Sequence, residues 1–311
     1  MIAPRVWHAR AGAFQRRAAL GLRPFAAPIT LFLPLGIALG PLGAGIISER
    51  GLVHLDVVVT IALGTLGVFI GAAAARQPRT MRRLFAASAV EAGLTIVIVS
   101  AAVFVLLRVW GAPVTLPVSV VAFALGVAAA TSAAPAVLQS ADRRYEIAAR
   151  VADLDDVLPI LLGGTVLGAA TLDRSGGLLT AAVAVGVGLG VGVSGWLLFE
   201  RAQDPGERGV FVLGAIALLG GSAAFVGGSP LVAGLAAGWF WVVAPGQADH
   251  LIARDLGKIQ HPLVVLLLVT AGATIKPTLL GVWLLVPYVT FRICGKLIGG
   301  WAASRIADRY F

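Results

Sequence analysis

Apolar and polar positions alternate along this chain on a coarse scale. Long apolar runs recur, separated by short polar stretches. Ten segments can be marked: Phe25–Ile47, Leu52–Ala75, Leu84–Leu107, Pro117–Leu138, Tyr145–Ala170, Leu178–Phe199, Val210–Val226, Gly227–Pro245, Ile259–Ile275 and Leu279–Ala302. A backbone in hydrocarbon must satisfy its own hydrogen bonds, which leaves helices or a closed barrel. Barrel strands are about 10 residues long and alternate in polarity, so these lengths predict helices. The expected fold class is all-α: a polytopic membrane protein of about ten transmembrane helices.

Composition points the same way. The chain of 311 residues is 59% hydrophobic and only 13% charged, whereas soluble domains are nearer a quarter charged. Residues 1–24 read as a basic cytoplasmic tail, 25–305 as a transmembrane domain and 306–311 as a short cytoplasmic tail. No short apolar region with a small-residue cleavage site follows the N-terminal arginines, so a removable signal is not expected.

The net charge of +9 would suggest nucleic acid in a soluble protein. Here the basic residues flank apolar segments and act as an orientation signal. With the N-terminus in the cytoplasm, 18 of the 24 Lys and Arg fall on the cytoplasmic side. Four fall outside (Arg50, Arg108, Arg174 and Lys276), and two, Arg292 and Lys296, lie within the tenth segment. Both termini are therefore expected in the cytoplasm, with no nucleic-acid partner. The single cysteine, Cys294, cannot form an internal disulfide or a cysteine-based metal site.

Six ionisable residues are expected at depth within the spans: Glu91, Asp153, Asp155, Asp156, Arg292 and Lys296. Each costs about 2.5–3.5 kcal/mol at a helix centre, so unpaired they would rival total folding stability. They must be paired, hydrated or partly neutral. Arg292 and Lys296 are four residues apart and share a helix face. Depth along the spans pairs Lys296 with the Asp155–Asp156 couple and makes Glu91 the partner of Arg292. Adjacent helical residues diverge by about 100°, so only one aspartate can hold the ammonium squarely. The other can face a cavity, where two neighbouring carboxylates resist ionising together and a proton competes with a cation. A purely structural bridge would need one acid rather than two. Asp153 fits a position nearer the interface.

The fourth segment contains "AAATSAAPAVLQ", Ala128 to Gln139. Pro135 cannot donate a backbone hydrogen bond and releases the carbonyl of Thr131. Thr131 and Ser132 can bond the freed groups or offer oxygens to a hard cation. This predicts a discontinuous fourth helix beside a cavity. An ordinary proline kink in the core is the plainer alternative.

Four stretches carry a family resemblance. "LGIALGPLGAGII", "ATSAAPAVLQ", "ADLDDVLPILL" and "RICGKLIGGWAASR" occur in this order. Together they resemble the first helix, the crossing helix, the aspartate-pair helix and the lysine helix of monovalent cation:proton antiporters, the sodium/hydrogen exchanger superfamily. The resemblance implies an antiporter-type fold with a mobile core domain and a homodimerising panel in a bacterial inner membrane. It implies no cofactor, only transported Na+ or K+ and H+. Asp156 matches the carboxylate that carries ion and proton, and so the position that meets the metal ion. Asp155 matches the partner of the motif lysine, Lys296; Thr131 and Ser132 match the break of the crossing helix. A double aspartate implies electrogenic exchange. The family pattern continues into a second broken helix and one more span. The resemblance therefore also allows a split or shortened member, with a second chain supplying those helices.

Three other readings stand beside this one; a shortened or split member that does not itself transport is the first. A sodium-coupled organic anion symporter of the bile-acid-transporter type shares the scaffold and fits ten spans, but the lysine motif in the last span speaks against it. An intramembrane protease would use "GVSG", Gly192 to Gly195, as a serine motif. That mechanism needs a histidine base within the membrane, and His8, His54, His250 and His261 all lie at span ends or in loops. The chain is thus expected not to be an enzyme, and its glycine run reads as close helix packing.

Overall fold

The computed structural model describes residues 28–75, 82–111, 116–131, 158–164, 177–202, 204–245, 257–276 and 278–308. Among these residues the secondary structure is helical throughout, with no strand. In chain order the helices are α1 (Pro28–Leu39), α2 (Glu49–Ala75), α3 (Arg82–Val109), α4 (Val118–Ala130), α5 (158–164), α6 (Gly177–Arg201), α7 (Pro205–Phe225), α8 (Pro230–Val243), α9 (Gly257–Thr274) and α10 (Leu279–Asp308). Five of them, α2, α3, α6, α7 and α10, contain stretches long and apolar enough to cross a bilayer, the mark of a multi-pass membrane protein. On α10, Val282, Trp283, Val286, Ile293, Leu297 and Trp301 are each more than half exposed.

The ends of the helices follow from local chemistry. The first apolar segment is expected to run to Ile47, yet α1 stops at Leu39. Pro41 cannot donate, and the chain turns back through Gly45 at φ +66°, so the amides of Ala44 and Ile47 meet the carbonyls of Ala38 and Leu39. Between α7 and α8 the turn uses Gly227 at φ +70°. Ser229 then caps the Val232 amide at 3.4 Å, and Pro230 occupies the first turn.

Close approaches fix the relative directions of the helices. A Cβ on Gly67 or Gly71 of α2 would meet the carbonyls of Leu231 and Leu235 of α8. Both series ascend together, so these helices are parallel. Gly36 and Gly40 pair likewise with Val269 and Ala273, and Gly188 and Gly192 with Ala233 and Ala237. By contrast, Gly295 of α10 lies on Thr95 of α3 and Gly299 on Glu91, an antiparallel pair. Alternation of the ten sequence segments gives these same relative directions.

Two cores result. One gathers Val68, Phe199, Ile216, Leu219 and Trp241 from α2, α6, α7 and α8. The other gathers Val99, Val103, Leu107 and Ala122 of α3 and α4, with Leu284, Tyr288 and Phe291 of α10 against them. The short helix α5 touches both groups. Leu158 and Leu162 pack against Ala92, Ile96, Val127 and Ala130 as a cluster, while Ile160 and Leu161 pack against Ala74 and Leu235.

Candidate functional site

The site is built on a helix that ends. α4 stops at Ala130, and Thr131 takes an extended conformation with φ −62° and ψ 138°. The last carbonyls of any helix lack an intrahelical partner and carry partial negative charge. Here four consecutive carbonyls each accept a side-chain donor. Thr131 Oγ1 donates to Ala128 at 3.0 Å. Arg292 donates from Nε to Ala129 at 3.2 Å and from Nη2 to Thr131 at 3.0 Å. The Lys296 ammonium donates to Ala130. The planar guanidinium suits this work, because its fixed fork spans two acceptors at once. Tyr288, one turn before Arg292, directs its hydroxyl to the Leu125 carbonyl at 3.4 Å.

Glu91 on α3 supplies the acid. Its Oε1 lies 3.5 Å from Lys296 Nζ, and the lysine and glutamate side chains are 20% and 18% exposed. This differs from the expected pairing of Glu91 with Arg292, and helix register is the reason. Gly299 sits on the Glu91 backbone and Gly295 on Thr95. At 1.5 Å per residue, Arg292 is therefore about 10 Å along the axis from Glu91, while Lys296 is about 4.5 Å away. The lysine stem covers that offset. Thr95 Oγ1 bonds the Glu91 carbonyl at 2.9 Å.

Thr131, Lys296, Arg292 and Glu91 are thus brought together at one helix end. Helix α4 ends at Ala130, and the Thr131 carbonyl, where a break was expected, accepts from Arg292. Ser132, Pro135, Asp153, Asp155 and Asp156 lie outside the described residues. So do the expected tails, residues 1–24 entirely and 309–311 of the C-terminal one.

The carbonyls of Ala129 and Ala130 were missed by sequence reasoning, since alanine has no side-chain chemistry to flag. Asp56, four residues into the second apolar segment, was also passed over. It is exposed, beside a cavity of about 340 Å³ between α2 and α9 lined by Leu52, Val59, Leu267 and Thr270. The Thr270 hydroxyl there is already bonded to the carbonyls of Leu266 and Leu267. An exposed pair, Lys276 with Glu49 at 3.2 Å, ties the start of α2 to the segment before α10. Among the described residues no cluster of His, Cys, Asp and Glu has the makings of a metal site.

The chain matches no protein-family model and no curated protein.

Proposed function

We propose that this protein exchanges a monovalent cation, Na+ or K+, for protons across a membrane. The observation that carries the reading is the end of helix α4, whose last carbonyls accept from the Arg292 and Lys296 side chains, with Glu91 of a neighbouring helix beside the lysine. A broken helix at membrane depth is tolerated where it borders a cavity, and such breaks are where transporters bind their cargo. α5 packs, through Leu158 and Leu162, against the cluster of Ala92, Ile96, Val127 and Ala130 that includes the last residue of α4. In the sequence Asp155 and Asp156 precede Leu158 by three and two residues.

Charge explains why such a site exchanges. Arg292 and Lys296 bring two positive charges, and Glu91, Asp155 and Asp156 bring three negative ones. One negative charge is left over. A monovalent cation or a proton neutralises it, and the two compete; a second proton exchanged at the Asp155–Lys296 contact makes the exchange electrogenic. In this reading Asp156 carries the exchanged ion, Asp155 shares Lys296, and the Thr131 and Ser132 hydroxyls complete the cation's shell. The Thr131 carbonyl, held by Arg292, leaves the hydroxyl as that residue's ligand. The membrane would be a bacterial inner membrane with both termini cytoplasmic. A core of α3, α4 and α10 would move against a panel that dimerises.

The test is a proton-flux assay in proteoliposomes, comparing Na+, K+ and Li+. The wild-type chain should collapse an imposed proton gradient on cation addition, and Asp156→Asn should abolish the response. Unaltered flux in that variant removes Asp156 from the mechanism. A wild-type chain that shows no cation-driven flux but takes up an organic anion with sodium would overturn exchange altogether.

A further inference from the structure

A wedge opens between α2 and α9, and glycine contacts explain it. The second half of α2 is drawn onto α8 through Gly67 and Gly71, while α9 is drawn onto α1, where Gly36 and Gly40 meet the backbone of Val269 and Ala273. Each helix is thus fixed by a different neighbour. The two run antiparallel, since Lys276, just past the end of α9, pairs with Glu49 at the start of α2. The cavity of about 340 Å³ between them has the size of a small-ligand site. Leu52, Leu55, Val59 and Leu63 line it from α2, with Leu267 and Ala271 from α9. Thr270 and Thr274 turn their hydroxyls to carbonyls of their own helix. Asp56 is the charged member of the lining. Arg50 and His54 fall on other faces of α2, Lys276 is taken by Glu49, and none of these three cations lines the cavity. Among the described residues no side chain pairs with the Asp56 carboxylate. Where α2 passes from its polar start into apolar residues, a carboxylate calls for a counter-charge or water.

We infer that this cavity binds an amphiphilic amine, an organic monocation whose ammonium meets Asp56 and whose hydrocarbon tail lies along the leucines. Charge complementarity selects the head. An ammonium donates charge-assisted hydrogen bonds to a carboxylate, and the apolar walls strengthen the attraction. An anion would be repelled, and a bare alkali ion would gain a single charged ligand. The leucines select the tail. From Asp56 to Leu63 is about 10 Å along the helix axis, close to the reach of an eight-carbon chain. The cavity takes no residue from α3, α4 or α10, so this site is separate from the exchange reading and goes beyond it.

The experiment is calorimetric titration of the purified full chain with octylammonium at neutral pH in a non-ionic detergent. Octanol and octanoate serve as controls with matched tails. The wild type should bind octylammonium about tenfold more tightly than either control. Asp56→Asn should lose that advantage and leave octanol binding as it was, while Asp56→Glu should keep most of it. Added salt should weaken octylammonium binding by the wild type and not by Asp56→Asn. Ala271→Leu keeps the charge and fills the slot, and it should weaken octylammonium about as much as Asp56→Asn does. Asp56 and Ala271 are both exposed, so these variants should fold, and their thermal unfolding checks it. Equal affinity for octylammonium and octanol, unmoved in Asp56→Asn, would make the cavity a seam for any hydrocarbon and overturn the assignment. Full affinity in Ala271→Leu would leave a surface carboxylate and no cavity site, and would overturn it too, as would a wild type that binds no octylammonium.

Discussion

The contacts of α2 with α8 and of α4 with α10 both join parallel helices, by opposite means. In the first, Gly67 and Gly71 face the backbone of Leu231, Gly234 and Leu235, while Gly234 and Gly238 face that of Gly64 and Val68. Backbone meets backbone, and dispersion and weak Cα–H contacts hold it. In the second, long side chains of Tyr288, Arg292 and Lys296 reach across to the carbonyls of Leu125, Ala129, Ala130 and Thr131. The difference lies in the continuity of the helix. Where hydrogen bonding within each helix is complete, the surface is apolar and small residues let it close. Where α4 stops, its carbonyls need donors, and cations on the neighbour supply them.

The largest effect expected from breaking this contrast is at Arg292. Replacing it with leucine strands the Ala129 and Thr131 carbonyls. An unsatisfied buried acceptor costs about 1–3 kcal/mol, so the two together should cost roughly 3 kcal/mol or more. Arg292→Lys should restore only part, because a point charge cannot fork across both acceptors. Thermal unfolding in detergent measures this. An Arg292→Leu protein as stable as wild type would mean that the helix end is capped otherwise.

A middle effect is expected at Gly71. An alanine there would place its Cβ 2.1 Å from the Leu235 carbonyl oxygen. The obstacle is backbone rather than a flexible tip, so α2 and α8 must part. Overpacking of this kind costs about 1–3 kcal/mol. Gly71→Ala should thus lower the unfolding temperature while leaving cation-dependent flux per folded molecule unchanged. If flux falls with stability held, the glycine contact belongs to the transport machinery, and the division between a packed region and a working one fails.

These two sites also show what could be read without coordinates. The spans of α2, α3, α6 and α10 were legible within a few residues, because apolar length alone marks them. The shared face of Arg292 and Lys296 was legible through their spacing, and both side chains reach the end of α4. The partner of Glu91 was not legible. It depends on the sliding of α10 along α3, which Gly295 and Gly299 set against residues some 200 positions away in sequence. A list of charges pairs acids with bases. It has no place for the carbonyls of Ala129 and Ala130, which compete for the same cations. The early stop of α1 escaped for a related reason: residues 40–47 are apolar enough to continue a span, and Pro41 with Gly45 turns them back.

The smallest effect sharpens the same point. Trp241 of α8 is fully buried and donates from Nε1 to the Gly192 carbonyl of α6 at 2.7 Å. On paper this is a shorter bond than either of those made by Arg292. Yet Gly192 lies well inside α6, where its carbonyl already serves the helix ladder. Removing the indole donor with Trp241→Phe orphans nothing on the acceptor side. Interhelical hydrogen bonds in membrane bundles average about 0.6 kcal/mol, so the loss should be near 1 kcal/mol once the smaller ring is included. Equilibrium unfolding of this variant beside Arg292→Leu separates bond length from acceptor need. If Trp241→Phe costs as much as Arg292→Leu, what decides is the contact itself. A threefold smaller cost means that the worth of a cross-helix donor is set by whether its carbonyl has anywhere else to turn.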